Sequence, residues 1–314
     1  MRYDFIKLHG LGNDFVFIDG MQEAVEIDAE TVQAVCDRHF GIGADGVVIV
    51  KPSPREECRA YMHYINSDGT LAEMCGNGVR CFTKFLVDRG YLPQEDGSFV
   101  ADTLRGPLPI EYKVDEQGLM DVATVNMDVP VFAPSLVPVE LPAKGLTPGG
   151  HPCVLEEAIA SPWGEFEFTC VSMGNPHAVT FIDDFDQLPD ELFTNMGQGK
   201  SLEALDLNKV GAFFESNPAF PAKANIEFAC VKDDGIHMRV YERGCGETLA
   251  CGTGACATLV SAVLTGRSGS HNDVVLRGGT LRIAWDEPGP VFMTGPARQS
   301  YSGSFDPQRV RSSR

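Results

Sequence analysis

Two short stretches of the chain place a cysteine directly before a glycine-rich turn and an apolar run: AEMCGNGVRC at residues 72–81 and LACGTGACAT at residues 249–258. The residues after each cysteine have helical spacing, so the thiols of Cys75 and Cys251 are expected beside unpaired backbone N–H groups and the positive end of a helix dipole. That position favours a thiolate, because a free cysteine pKa of about 8.5 falls toward neutrality at a helix N-terminus. The same N–H groups can hold a carboxylate, and Gly76 and Gly252 leave room for it to approach. One such turn is common in inert loops. Two at a matched spacing point to chemistry.

Two matched thiols suit one task above others: taking a proton from one face of a carbon and returning one to the opposite face. The α-hydrogen of an amino acid is weakly acidic, so the developing carbanion needs donors aimed at its carboxylate. Two helix N-termini supply them. No lysine motif for pyridoxal phosphate is evident, and no Gly-x-Gly-x-x-Gly follows a strand. The residues therefore read as a racemase or epimerase with no cofactor. A non-catalytic thiol redox or metal-binding protein is the alternative of a different class, but the chain has no CxxC pair and no CxxC…HxxxH spacing, so no metal is expected.

The elements that carry the thiols repeat. Cys75 and Cys251 lie 176 residues apart, and at that offset MHYINSDGTLAEMCGNG (62–78) falls on MRVYERGCGETLACGTG (238–254), with Asn66 on Glu242. Upstream, GNDFVFID (12–19) resembles GNPHAVTFID (174–183) with two residues inserted. A repeat this long is a duplicated domain and not a solenoid unit. Each half opens with strand-like alternation, and each cysteine turn leads to a helix, VRCFTKFLVDRG or ACATLVSAVLTG, that stops at Gly90 or Gly266, where a left-handed C-terminal cap belongs. The expected fold is α+β: two pseudo-symmetric domains from an internal duplication, each a β-sheet or barrel wrapped around a central helix. The expected division is residues 1–128 with 291–314, carrying Cys75, and residues 129–290, carrying Cys251. The Pro- and Gly-rich stretch 131–152 reads as the connection between halves. The polar tail DPQRVRSSR reads as frayed.

At 314 residues, 43% hydrophobic and 22% charged, the chain has the composition of a soluble globular protein. Its net charge of −19 argues against a nucleic-acid partner, which would need clustered Lys and Arg. No run approaches the ~18 apolar residues of a membrane helix, and the first residues lack a leader pattern, so a cytoplasmic location is expected. Among the other cysteines, Cys36, Cys58, Cys153, Cys170 and Cys230 read as core residues, Cys81 and Cys256 as helix packing, and Cys245 as a thiol in a glycine-rich loop. His9, His39 and His63 read as structural.

Six motifs in order, HGLGNDF, DRHFGIGADG, NSDGTLAEMCGNGVRC, SMGNPHAV, ANIEF and YERGCGETLACGTGACA, resemble the diaminopimelate epimerase family from the first strand to FMTGPA near residue 296. The resemblance implies reversible conversion of LL- to meso-diaminopimelate, in lysine and peptidoglycan precursor synthesis, by two cysteine bases and no pyridoxal phosphate. It implies Cys75 and Cys251 as the acid–base pair, tuned by His177 and Glu242. Asn13, Gly76, Asn77, Gly252 and Thr253 would hold the reacting centre, and Asn66, Asn175, Asn225, Glu242 and Arg243 the distal one. Partners beyond this small substrate would be limited to a possible homodimer. Some members carry Gln where this chain has Gly46, so any contact from that side chain is missing. Proline racemase and hydroxyproline epimerase share the paired thiols, but their cyclic substrates have no distal centre for Arg243 and the three asparagines to bind.

Overall fold

The computed structural model describes residues 2–72, 75–194, 197 and 199–312. Glu73 and Met74 of the first cysteine stretch, and Ser313 and Arg314 of the tail, lie outside the described residues. The chain divides into two compact units, Met1–Asn126 with Thr294–Arg314, and Met127–Met293. No helix of the described residues is long and apolar enough to cross a membrane.

The first unit is a sheet bent around one helix. Its strands are β1 (Tyr3–Gly10), β2 (Asn13–Asp19), β3 (Gly46–Lys51), β4 (Ala60–Asn66), β5 (Gly97–Thr103), β6 (Gly106–Val114) and β7 (Met120–Asn126). From β1 to β6, neighbours pair antiparallel, parallel, antiparallel, parallel and antiparallel. Each parallel step needs a long crossover, and the first contains α1 (Ala29–Cys36), capped by Asp28. The second crossover contains α2 (Gly76–Asp88), whose residues Gly76–Val87 are all buried. It packs against β1, β2, β3 and β7.

The second unit repeats that order. Strands β10 (Gly164–Ser172), β11 (Pro176–Phe181), β12 (Asn225–Lys232), β13 (Gly235–Glu242), β15 (His271–Leu276) and β16 (Gly279–Trp285) pair in the same alternation of senses. The parallel crossovers carry α3 (Leu207–Glu215) and α4 (Gly252–Leu264). An outer strand completes each sheet: β9 (Pro152–Ser161) beside β10, and β18 (Arg298–Phe305) beside β1. The sequence of α4 is apolar nearly all round, as befits a helix enclosed by a sheet. The duplication and the helix-centred α+β architecture expected from sequence are therefore present in both units.

Both central helices end as the glycines predict. Gly90 and Gly266 each have φ +72°, and the next residues close the caps, Tyr91 N–H donating to Leu86 O and Arg267 N–H to Ala262 O, both at 2.8 Å. Two expectations change. Residues 131–152 lie inside the second unit and are not a free connection: Val137 and Val139 enter its core, and Val131 pairs with Ser172. The tail, as far as it is described, is not frayed. Asp306 caps a short helix, Pro307–Arg311, Val310 packs on the first unit's core, and Arg311 meets Asp28 at 3.0 Å. Val310 is the apolar anchor, and the cap supplies the local order.

Phe214 of α3 joins the helix to the sheet in the second unit. It is fully buried and meets Phe166, Phe168 and Phe228 edge-on or tilted, with ring centroids 4.8–6.4 Å apart. Phe228 stands on β12, the strand that also carries Asn225 and Glu227. Phe214→Ala is expected to cost about 3–5 kcal/mol through lost burial and the cavity left behind, read as a lowered midpoint in denaturant unfolding. A loss under about 1 kcal/mol would show that this cluster does not anchor β12.

Candidate active site

Each cysteine of the paired turns stands at the N-cap of a central helix. Cys75 has φ −140° and ψ 119°, and Cys251 has φ −123° and ψ 110°, extended values that turn the chain sharply into the helix. A side chain at Gly78 or Gly254 would collide with what lies behind the turn. An added β-carbon would come within 2.9 Å of Met62 Cε at Gly78 and 2.8 Å of Glu227 Oε1 at Gly254. The small residues of both turns therefore serve close packing inside the sheet as well as access from outside.

In the first unit a chain of polarised amides leads to Cys75. Arg80 Nη2 donates to Asn77 Oδ1 (2.7 Å), Asn77 Nδ2 to Asn13 Oδ1 (3.2 Å), and Asn13 Nδ2 to Asp45 Oδ2 (2.7 Å). Asp45 in turn is held by Arg38 at 2.7 Å. A guanidinium at one end and a carboxylate at the other fix both amides, since neither can flip without facing donor to donor or acceptor to acceptor. Cys75 Sγ donates to the same Asn13 Oδ1 at 3.7 Å. Gly76, Asn77 and Asn13 are thus assembled with Cys75. Asn66 stands at the end of β4 opposite Gly46, its Nδ2 donating to Thr70 Oγ1 at 3.1 Å. A β-carbon at Gly46 would lie 2.6 Å from the Tyr64 ring, so a larger residue there requires that ring to move.

The second unit builds a different environment on the same frame. Cys251 is 5% exposed, its Sγ accepts from Gly254 N–H at 3.3 Å, and it lies 3.5 Å from Thr253 Oγ1. His177 and Glu227 are both fully buried: Nδ1 lies 2.6 Å from Glu227 Oε1, and Nε2 lies 3.0 Å from Asn175 Oδ1. Asn225 is oriented at both ends, accepting from Arg243 N–H at 3.0 Å and donating to Pro176 O at 2.9 Å. Arg243 is exposed, with Nη1 donating to Ala222 O at 3.4 Å, and Glu242 accepts from Thr248 Oγ1.

Sequence reading missed Arg80, Asp45 and Glu227. Arg80 carried a signal, a cation inside an otherwise apolar helix run, and it is fully buried. Asp45 and Glu227 look like ordinary strand-edge acids until the strands are paired. The expected thiolate at Cys251 is also corrected. Burial pushes its thiol pKa well above the usual value, the Glu242 carboxylate pushes it further, and the Thr253 and Gly254 contacts offset only part. Burial likewise raises Glu227, helped by Glu242 and opposed by His177. Cys36 is pushed up to about 12 by burial and reads as an inert core thiol. Cys58, Cys81, Cys153, Cys170, Cys230 and Cys256 are also buried, and Cys245 is exposed in its loop.

The family model described as diaminopimelate epimerase matches residues 5–133 and 169–299. The chain is 40% identical over 307 residues to a diaminopimelate epimerase of Leptospira biflexa, covering 98% of this chain and all of that one. It is 41% identical over 304 residues to one of Desulfitobacterium hafniense, covering 96% and 97%. Among solved structures, a hydroxyproline epimerase from Agrobacterium vitis with bound trans-4-hydroxy-L-proline shares the fold, at TM-score 0.62 and 18% identity, over 98% of this chain and 94% of that one.

Because the Glu242 carboxylate raises the Cys251 thiol, Glu242→Gln should lower the pH at which Cys251 becomes reactive: removing a negative charge favours the thiolate. The measurement is alkylation rate against pH in a Cys75→Ala background, where the Cys251 profile should lie above that of an ordinary thiol and move down in the double variant. An unchanged or upward-shifted profile would contradict the electrostatics.

Proposed function

The chain belongs to the diaminopimelate epimerase family, and from that premise we propose that it interconverts LL- and meso-diaminopimelate with Cys75 and Cys251 as the two acid–base groups. The observation that carries this reading is the duplicated N-cap cysteine, set at the mouth of a buried helix in each unit of a chain 40% identical to such epimerases along its length.

One thiolate takes the α-hydrogen as a proton and becomes a thiol, while the other thiol gives its proton to the opposite face and becomes a thiolate. The pair ends with its protons exchanged and the carbon inverted. Cys251, whose thiol pKa is raised, rests protonated and serves as the donor for the stereoisomer whose α-hydrogen faces Cys75. Between the steps, the negative charge spreads into the substrate carboxylate, where the first-turn N–H groups at Gly76, Asn77, Gly252 and Thr253 stabilise it. Asn77, with its oxygen engaged by Arg80, offers its remaining N–H to that carboxylate. Asn13, its oxygen accepting from Asn77 and, whenever Cys75 is protonated, from that thiol, keeps the amide fixed beside the reacting centre. His177 and Glu242 tune the thiols, Glu242 by holding the Cys251 proton in place.

Asn66, Asn175, Asn225, Glu242 and Arg243 are proposed to hold the distal, non-reacting centre. Arg243 suits a carboxylate because its planar fork binds two oxygens at once, and its guanidinium is exposed and ready for one. This distal set separates the reading from an enzyme for a cyclic amino acid. The substrate is small, the chemistry requires reduced thiols, and both suit the cytoplasm.

The test is conversion of LL-diaminopimelate by purified protein with no cofactor added, under reducing conditions. Cys75→Ala and Cys251→Ala are each expected to lose at least the ~10²–10⁴-fold that a general acid or base contributes. Near wild-type turnover in either would refute the pairing. Arg243→Lys is expected to raise KM by roughly 10- to 150-fold, from a lost charge-assisted contact of ~1.5–3 kcal/mol, while the protein stays folded. Unchanged KM would remove Arg243 from the distal site.

A further inference from the structure

The buried pair of His177 and Glu227 has a counterpart in the first unit that is not polar at all. Parallel pairing sets Phe15 beside Gly46 and His177 beside Asn225, so by register His177 takes the place of Phe15 and Glu227 the place of Val48. Phe15 and Val48 are both fully buried. The fold therefore closes well with an apolar pair at this position, and the polar pair answers some other need.

From this geometry we infer that Glu227 is a neutral carboxylic acid that donates its proton to His177 Nδ1 and so acts as a positioning residue, fixing the ring as the Nε2–H tautomer and turning the Asn175 amide outward. The inference deepens the proposed function, since it assigns the polarity of one residue of the distal site, and it rests on that reading for its catalytic meaning.

Proton counting supports it. With the Asn175 amide oriented oxygen-inward, the 3.0 Å contact from His177 Nε2 to Asn175 Oδ1 takes a hydrogen from Nε2, and the 2.6 Å contact from Nδ1 to Glu227 Oε1 contains one more; a turned amide would instead donate to Nε2 and leave Nδ1–H facing a carboxylate, the arrangement the spectra below separate from this one. That second hydrogen belongs either to an imidazolium facing a carboxylate or to a carboxylic acid facing a neutral ring. A buried carboxylate is stable when several donors meet it. Glu227 has His177 on Oε1 and, among the described residues, no hydrogen-bond partner on Oε2. The groups around it add no second cation: Glu242 from β13 is acidic, the Cys251 thiol at the N-cap of α4 and the Cys170 thiol from β10 are neutral, and His177 from β11 is the sole ion-pair partner among the described residues. As an acid it needs one acceptor for its O–H, and Nδ1 is that acceptor. Gly254 lets the first turn of α4 close over the carboxyl, since a β-carbon there would lie 2.8 Å from Oε1.

Two consequences follow for the site. Asn175, with its oxygen engaged by Nε2–H, presents its amide hydrogens outward and recognises a carboxylate and not an ammonium. Cys251 is spared a second full negative charge, so that it can become a thiolate during the reverse reaction.

Infrared difference spectra of wild type against E227Q at neutral pH are expected to show a protonated-carboxyl C=O stretch that shifts in D₂O and is lost in the variant. Nitrogen-15 spectra of histidine-labelled wild-type protein need no variant. They should show a protonated Nε2 and a pyridine-type Nδ1 in His177; the reverse, a protonated Nδ1 with a pyridine-type Nε2, overturns the inference. A His177 ring with both nitrogens protonated at neutral pH, or no carboxyl stretch assignable to Glu227, overturns the inference. Neither spectrum depends on turnover, so failure to epimerise diaminopimelate would be a separate result.

Discussion

A helix enclosed by a sheet on all sides has no water to meet its first N–H groups, and this constraint governs both units. The N-terminus has to open somewhere, and whatever stands at that opening sits beside the positive end of the helix dipole. In both central helices a cysteine stands there, followed by residues small enough to leave the N–H groups accessible. A thiol is an economical occupant. At Cys251 it accepts from Gly254 N–H and is still able to exchange a proton. The curvature of each sheet, the glycine stops of each helix and the tight packing at Gly78 and Gly254 serve to hold that opening in one shape.

Duplication supplies two such openings, and substitutions inside the shared frame make them unlike. In the first unit a buried guanidinium, Arg80, sits one and a half turns into the helix and polarises the amides of Asn77 and Asn13. The matching position of the second unit, at the repeat offset, is Cys256. The second unit places carboxyls near its thiol, Glu227 and Glu242, where the first has Val48 and Asn66. Two thiols on matching backbones therefore have unlike surroundings, amides held between a guanidinium and a carboxylate at Cys75 and the acidic side chain of Glu242 at Cys251. A reaction that needs one base and one acid at the start has a use for that difference, whereas two identical thiols would have to acquire it from the substrate.

Much of this was legible in the sequence because the signals were local or repeated. A cysteine, two glycines and an apolar run specify an N-cap and a buried helix within ten residues, and Gly90 and Gly266 mark the ends by the conformation only glycine adopts cheaply. The offset of 176 residues revealed the duplication. The parts that escaped depend on pairing between strands. Glu227 in ANIEF becomes a partner of His177 only when β11 and β12 align in parallel. Asp45 becomes the anchor of Asn13 only through the loop before β3. The thiolate expected at Cys251 failed for a related reason: helix-dipole reasoning is local, whereas desolvation and the Glu242 carboxylate come from the surrounding sheet.

The account stands or falls on two separate proton carriers acting on one carbon, and heavy water tests it most directly. LL-diaminopimelate incubated with the protein in D₂O and sampled before back reaction should give meso product labelled at the inverted carbon, while the remaining substrate stays almost unlabelled. The thiol that removes hydrogen is not the one that delivers it, and the delivering thiol arrives already carrying deuterium. Substantial protium at the inverted carbon of early product would mean that a single group carries the hydrogen across, and would contradict the two-thiol account even if both cysteines proved essential.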